Sequence, residues 1–201
     1  MEQESKILAR GAEAVIIKEK SKVIKNRISK SYRLPELDEK LRKLRTRSEA
    51  KIIQKLQSII PVPKFIKTDE KTKQIEMKYI SGKKLSVYLD KLKNYKSICK
   101  QIGKSTAKLH DSNIIHGDLT TSNLILKNKK VYFIDFGLGF HSSKIEDKAV
   151  DLHLIKESMQ AKHSKIYESA FSAILEGYKS SKNYDKTIKQ LKKVEKRGRY
   201  K

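Results

Sequence analysis

The sequence predicts an α+β protein of two lobes: an antiparallel sheet carrying one helix, then a reduced, mainly helical half. Three observations predict it. Short apolar-centred segments separated by the turn-prone strings GAE and EKSK open the chain, the pattern of an antiparallel meander. After Ser81-Gly82 the apolar residues recur at helical spacing instead. Within that second half one polar string, IIHGDLTTSNLIL from Ile114 to Leu126, interrupts the buried pattern and runs into a short hairpin. On this reading residues 1–80 form the first lobe, 81–195 the second, and 196–201 a basic tail.

Each element follows in order. Lys6–Arg10, Ala14–Lys18 and Lys22–Arg27 are the strands of the meander. Pro35-Glu36-Leu37-Asp38 opens a basic helical region. From Arg45 to Gln57 the residues Ala50, Ile52, Ile53 and Leu56 make a helical stripe, with Thr46 or Ser48 as its expected cap. Pro61-Val62-Pro63 stops that helix. Phe65–Thr68 and Gln74–Ile80 read as two more strands around the polar turn DEKTK. Leu85, Tyr88, Leu89 and Leu92 make one amphipathic stripe, and Ile98, Ile102, Thr106 and Leu109 a second. Leu124–Lys127 and Val131–Ile134 form the hairpin around Asn128-Lys129. Helices are then expected over Ala149–Met159, Ile166–Tyr178 and Thr187–Val194, with Ile166, Ala170, Ile174 and Tyr178 on one face.

Composition bounds the class of partner. The 201 residues carry 47 Lys plus Arg against 23 Asp plus Glu, a formal charge of +24. Such a surplus attracts polyanions, nucleic acid first, although Lys-rich surfaces also arise from an organism's general composition or a thermophilic surface strategy. Cys99 is the single cysteine, so no intramolecular disulfide can form and a reducing, intracellular setting is expected. The opening MEQESKILARG has no apolar run of signal-peptide length, and no segment nears the roughly 20 apolar residues that span a bilayer.

The polar string raises a choice. Gly, Asp, Thr, Ser and Asn are the usual residues of an exposed turn. They also fit a catalytic loop H-x-D-x-x-x-x-N, in which Asp118 accepts a proton from an attacking hydroxyl and Asn123 holds a metal on nucleotide phosphates. The hairpin decides between them, because its second strand brings Asp135 of Asp135-Phe136-Gly137 back beside Asn123. An amide oxygen and a carboxylate there suit magnesium, a hard cation. Phosphates need a cation from the opposite wall, and Lys25 at the end of Val23-Ile24-Lys25 supplies it. Glu49, in the following helix, is the acid that would hold Lys25 as an ion pair across the cleft. His116 is assigned to packing, and Asp151 to pinning the catalytic loop by hydrogen bonds.

HGDLTTSN and IDFG resemble the protein-kinase-like superfamily. Three features depart from its common members. Arg10-Gly11-Ala12-Glu13-Ala14 stands where a G-x-G-x-x-G loop would cover the nucleotide. Gly117 replaces the usual Arg of the catalytic loop, removing the reader of activation-loop phosphate. No proline follows Pro63, so an A-P-E element is missing, and residues 138–201 leave little room for a peptide-binding subdomain. The run GAEA, then VIKNRISKSYRLPELDEKLRKLRTRSEA, then HGDLTTSN and DFGLG, then the basic RGR, is similar over almost the whole chain to the small atypical kinases of the KEOPS (EKC) complex, related to the RIO kinases. That resemblance implies a protein-kinase-like fold and a cytoplasmic serine/threonine kinase or ATPase using ATP and magnesium. It also implies binding to the complex's threonylcarbamoyl-transferase subunit, in support of threonylcarbamoyl-adenosine formation beside the anticodon of tRNA. ATP contacts are then expected from Gly11, Ala12, Glu13 and Ala14, from Lys25 and Glu49, and from a hinge at Met77, Lys78 and Ile80. Metal contacts fall to Asn123 and Asp135, catalysis to Asp118 with Lys25 and Asn123, and tRNA contacts to Arg197, Arg199 and Lys201 in the tail.

Two other readings use the same residues. Aminoglycoside- and choline-type phosphotransferases share the HGD…N…D core, yet carry additional acceptor-binding helices and do not keep a glycine after the Phe136 position. A non-catalytic scaffold binding tRNA and partner proteins, with nucleotide as a switch, would not require every phosphate-handling residue.

Overall fold

In a strand, residues two apart share a face. Val23, Lys25 and Arg27 therefore line one side of their segment, and the fold turns on what that side meets. The computed structural model describes residues 5–198. Its first half is a five-stranded antiparallel sheet formed by β1 (Ser5–Arg10), β2 (Ala14–Glu19), β3 (Lys22–Arg27), β4 (Phe65–Asp69) and β5 (Gln74–Lys78), in the order β1-β2-β3-β5-β4. β3 is central. Lys25 is paired with Ile16 of β2 on one side and Ile75 of β5 on the other, so its backbone is held from both directions.

Between β3 and β4 runs α1 (Pro35–Leu56), one unbroken helix with proline in its first turn, where the missing N–H costs nothing. Thr46 and Ser48 lie in its interior, so neither is the expected cap. Thr46 Oγ1 instead donates back to the Arg42 carbonyl at 2.8 Å. The apolar stripe starts late because the first half of the helix is anchored ionically. Asp38, 1 % exposed, accepts Arg42 Nε at 2.7 Å and Ser29 Oγ at 3.0 Å. Farther along, Ala50, Ile52, Ile53 and Leu56 are buried in the core.

The second half begins with a two-residue strand, β6 (Lys83–Lys84), which the helical pattern around it conceals. α2 (Leu85–Tyr88) and a 3₁₀ turn, Leu89–Lys91, follow. α3 (Tyr95–Asp111) buries Ile98, Ile102, Thr106 and Leu109 as its spacing predicts. After β7 (Ile114–Ile115) and the 3₁₀ turn Thr121–Asn123 come β8 (Leu124–Lys127) and β9 (Lys130–Phe133). Asn128 and Lys129 both take positive φ, 49° and 62°, as a tight hairpin turn requires. β6 pairs with β8, and β10 (Phe140–His141) returns to β7. The chain then continues through α4 (Ile145–Lys162), α5 (Tyr167–Tyr178) and α6 (Tyr184–Gly198). Ala170, Ile174 and Tyr178 are buried on one face of α5.

α6 extends four residues past the expected Val194, so 196–198 are helical rather than a loose tail. Cross-helix ion pairs accompany the extension: Lys156 Nζ to Glu195 Oε1 at 2.7 Å and Arg197 Nη1 to Glu146 Oε1 at 2.6 Å. Arg199 and Lys201 lie outside the described residues. No helix among the described residues is long and apolar enough to cross a membrane.

Candidate active site

Lys25 and Glu49 meet where β3 faces α1 in the buried interior. Lys25 Nζ donates to Glu49 Oε1 at 2.7 Å, with the Glu49 side chain 1 % exposed. The same ammonium reaches Asp135 Oδ1 at 2.6 Å from the opposite wall. Burial alone would pull the Lys25 ammonium down; the two carboxylates outweigh burial and raise it. For Asp135, burial pushes the carboxyl up, but Lys25 and the Gly137 N–H hold it below the usual carboxylate range. Both groups are therefore ionised at neutral pH.

Asp135 adopts φ of +63°, a conformation that side chains enter only when their surroundings enforce it. The hairpin enforces it here. Ile134 N–H donates to the Asn123 carbonyl at 3.0 Å, returning the strand beside the loop it left. Asn123 Nδ2 donates to the Asp118 carbonyl at 2.9 Å and to Asp118 Oδ2 at 2.8 Å. Both partners are oxygens, so the amide nitrogen must face them and Oδ1 turns the other way.

The loop from His116 to Asn123 is fastened from below. Asp151 of α4, fully buried, accepts the backbone N–H of His116 at 2.6 Å and of Gly117 at 2.9 Å, with His110 Nε2 at 3.2 Å. His116 accepts the Asp118 N–H on Nδ1 at 3.3 Å, so its Nε2 carries the proton given to the Ile134 carbonyl at 3.2 Å. Burial pushes its pKa down, and the ring stays neutral, packed 4.6 Å from that of Phe136. His116 is thus a strut between the catalytic loop and Asp135. Gly117 has φ of +78°, and a Cβ there would stand 2.3 Å from the Leu138 carbonyl oxygen. The arginine of common kinases cannot fit.

A cavity of about 350 Å³ opens above these groups. Leu8, Val23, Met77, Lys78, Ile80 and Ile125 line its apolar end, and Lys25, Asn123 and Asp135 its polar end. The Lys78 N–H is already given to the Lys64 carbonyl at 2.8 Å, so of the two Lys78 backbone groups only the carbonyl can serve an adenine edge. A second cavity, about 280 Å³, adjoins it under Gly11, Ala12, Glu13 and Ala14 and reaches Asp118. Glu13 departs from expectation in one respect. Its carboxylate is engaged by Arg45 Nη1 at 2.7 Å and Arg33 Nη2 at 3.1 Å, so at that position the loop offers a phosphate its backbone.

Two residues escaped the motif reading. Arg27, two positions beyond Lys25, gives Nη2 to the second oxygen of Glu49 at 2.6 Å; the strand's alternation was the available signal. His163 bridges Asp90 (2.7 Å) and Thr121 Oγ1 (3.3 Å), steadying the 3₁₀ turn that carries Asn123. Nothing local in the sequence marks that link. The basic run Arg42-Lys43-Leu44-Arg45 on α1 has both of its arginines engaged, Arg42 by Asp38 and Arg45 by Glu13.

Metal fit rests on donor chemistry. Among the described residues no group of three His, Cys, Asp or Glu side chains could hold an ion by itself. Asn123 and Asp135 instead offer one amide and one carboxylate oxygen, a set that suits magnesium held jointly by protein, nucleotide phosphates and water.

Comparison with known proteins agrees with this geometry. Residues 16–146 match the RIO domain family. The KEOPS complex subunit Bud32 of Pyrococcus abyssi is 43% identical over 184 residues, covering 89% of this chain and 84% of the relative. A probable serine/threonine-protein kinase BUD32 homolog of Archaeoglobus fulgidus is 39% identical, with 94% of each chain covered. A probable bifunctional tRNA threonylcarbamoyladenosine biosynthesis protein of Methanobrevibacter smithii is 44% identical over 96% of this chain, which spans 36% of that protein's length. Among solved structures, the Rio2 kinase–ADP/Mg2+–phosphoaspartate complex from Chaetomium thermophilum superposes with a TM-score of 0.65 at 17% identity, covering 98% of this chain and 71% of that one. A choline/ethanolamine kinase family protein from Mesorhizobium loti gives 0.63 at 12% identity, covering 88% and 69%. These two likenesses establish a protein-kinase-like fold, and together with the sequence matches they lead to one conclusion: the chain belongs to the RIO domain family and, within it, to the Bud32 group.

Proposed function

We propose that this protein is an ATP- and magnesium-dependent phosphotransferase, acting on Ser or Thr or on water. The observation that carries the reading is Lys25, buried and shared between Glu49 and Asp135, opposite the Asp118–Asn123 pair. Residues 1–80 and 81–195 act as the two walls of the cleft. Lys25 meets nucleotide phosphates from the sheet side. Asn123 Oδ1 and Asp135 hold magnesium from the other side. When bound there, magnesium supplies charge neutralisation on the phosphate oxygens. Asp118, fixed by Asn123 Nδ2, orients the attacking hydroxyl and takes its proton. Such a site works by positioning and by offsetting charge.

The names of the relatives extend the reading. We infer that the protein works in the cytoplasm as a subunit of a KEOPS complex, beside its threonylcarbamoyl-transferase subunit, in threonylcarbamoyl-adenosine modification of tRNA. The excess of basic residues supports contact with tRNA, with Arg197, Arg199 and Lys201 assigned to it. The test is magnesium-dependent phosphate release from ATP, with and without the transferase partner. Asp135→Ala should abolish turnover. Asp118→Ala should cut it severely while nucleotide still binds, because its role lies in the transition state. Normal turnover in both folded variants would overturn the catalytic assignment and leave a nucleotide-switched scaffold.

A further inference from the structure

Glu49 carries two cations, and the ordinary role of such a glutamate needs only one. Its Oε1 takes Lys25 and its Oε2 takes Arg27, at 2.7 and 2.6 Å. Arg27 is 4 % exposed. Its guanidinium has five N–H donors, and among the described residues only Nη2 finds an acceptor. The Nε–H is buried with no partner. A buried donor without an acceptor is costly, and a charged one more so. If Arg27 existed only to hold Glu49, a smaller donor would do that without burying an unpaired Nε–H.

Its place in the cleft suggests what supplies the acceptor. Val23, Lys25 and Arg27 alternate along one face of β3. Val23 lines the apolar end of the large cavity, Lys25 lines both cavities, and Arg27 lines only the one under the Gly11–Ala14 turn, with Asp118. Each two-residue step along a strand is about 7 Å. A nucleotide with its base at the apolar end would lay its phosphates along this face, the inner ones by Lys25 and the outermost by Arg27. Gly137 seals the arrangement from below. A Cβ there would lie 3.1 Å from Lys25 Nζ and 3.3 Å from Arg27 Nη2, so the absence of a side chain leaves room beside both cations.

We propose that Arg27 is a second phosphate-binding cation, placed to meet the terminal phosphate of the bound nucleotide while Lys25 meets the inner ones. Glu49 orients both. This inference rests on the nucleotide-binding reading above, and its test separates the two. Calorimetric titration of Mg–ADP and of the Mg complex of a β,γ-imido ATP analogue gives the ratio of triphosphate to diphosphate affinity for the intact protein. Arg27→Gln should lower that ratio about tenfold, the scale of one charge-assisted hydrogen bond, by weakening the triphosphate and sparing ADP. Glu49→Gln, which frees both cations, should weaken both nucleotides. If Arg27→Gln weakens both by the same factor, or neither, Arg27 is only a clamp on Glu49 and the proposal fails. Should Arg27→Gln not fold, Arg27→Lys decides. It keeps the charge and the pair with Glu49 but has no Nε–H and no planar fork. A lowered ratio supports the proposal, and a wild-type ratio overturns it. If the unmutated protein binds neither nucleotide, the functional reading itself falls.

Discussion

Asp151→Asn isolates the contribution of one buried anion to the catalytic loop. The change is isosteric, so it opens no cavity. Asp151 accepts from His116 N and His110 Nε2 on one oxygen and from Gly117 N on the other. An asparagine has one oxygen and one NH₂, so one backbone N–H must face a donor. With the NH₂ on the His116 side, His110 can adapt by switching tautomer, since its other nitrogen faces the Tyr178 hydroxyl at 2.9 Å. The His116 N–H cannot adapt. With the NH₂ on the other side, the Gly117 N–H is orphaned instead. Leaving one buried donor unsatisfied and removing charge assistance from the rest costs about 2–4 kcal/mol. For a chain of this size that corresponds to a fall in midpoint of about 5–15 °C. Urea unfolding followed by circular dichroism, with an unchanged m-value, would measure it. Turnover should fall as well, because the loop presenting Asp118 loses its anchor, while nucleotide binding at the opposite wall persists. A midpoint within error of wild type would mean that the three hydrogen bonds are dispensable, and the account of the loop would be wrong.

Two further outcomes are expected. The Lys25–Asp135 pair holds the Asp135 carboxyl low, so its stabilisation is complete above the ordinary carboxylate pKa and disappears as pH falls through the depressed native value. Asp135→Asn should accordingly flatten the acid limb of the stability–pH curve, and superimposable acid limbs would show that the pair contributes nothing. Deleting residues 196–201 should weaken tRNA binding and reduce its salt dependence, because fewer counterions are released. An unchanged slope in binding titrations would place the contact elsewhere. Since Arg197 pairs with Glu146 on the surface, the deletion should cost the core little.

Short-range spacing carried most of the site. Asp118 and Asn123 lie in one loop, and the hairpin that returns Asp135 is written in alternating apolar residues with a tight turn. Lys25 was legible as a cation ending a buried run, and Glu49 as an acid on the adjoining helix. What stayed hidden depends on contacts between distant segments. The helical region opening at Pro35 was legible, but its first half shows no apolar stripe, because a buried aspartate, Asp38, replaces the apolar anchors there. β6 and β10 have two residues each, too few for any periodicity to register. Arg27 was visible in K-x-R as a same-face neighbour of Lys25, but one lysine or arginine more in so basic a chain draws no notice until its carboxylate is seen.

The contact between Gly117 and the Leu138 carbonyl bears on how such a protein can be turned on and off. Many kinases time themselves by swinging the stretch after their metal-binding aspartate in and out, with an arginine in the loop above it sensing when that stretch has been phosphorylated. Here the two backbones touch where the sensor would stand, and any side chain at 117 must enter occupied space. The loop and the stretch behind it are joined like two boards at a dovetail. No single replacement at that position could install the sensor without breaking the joint.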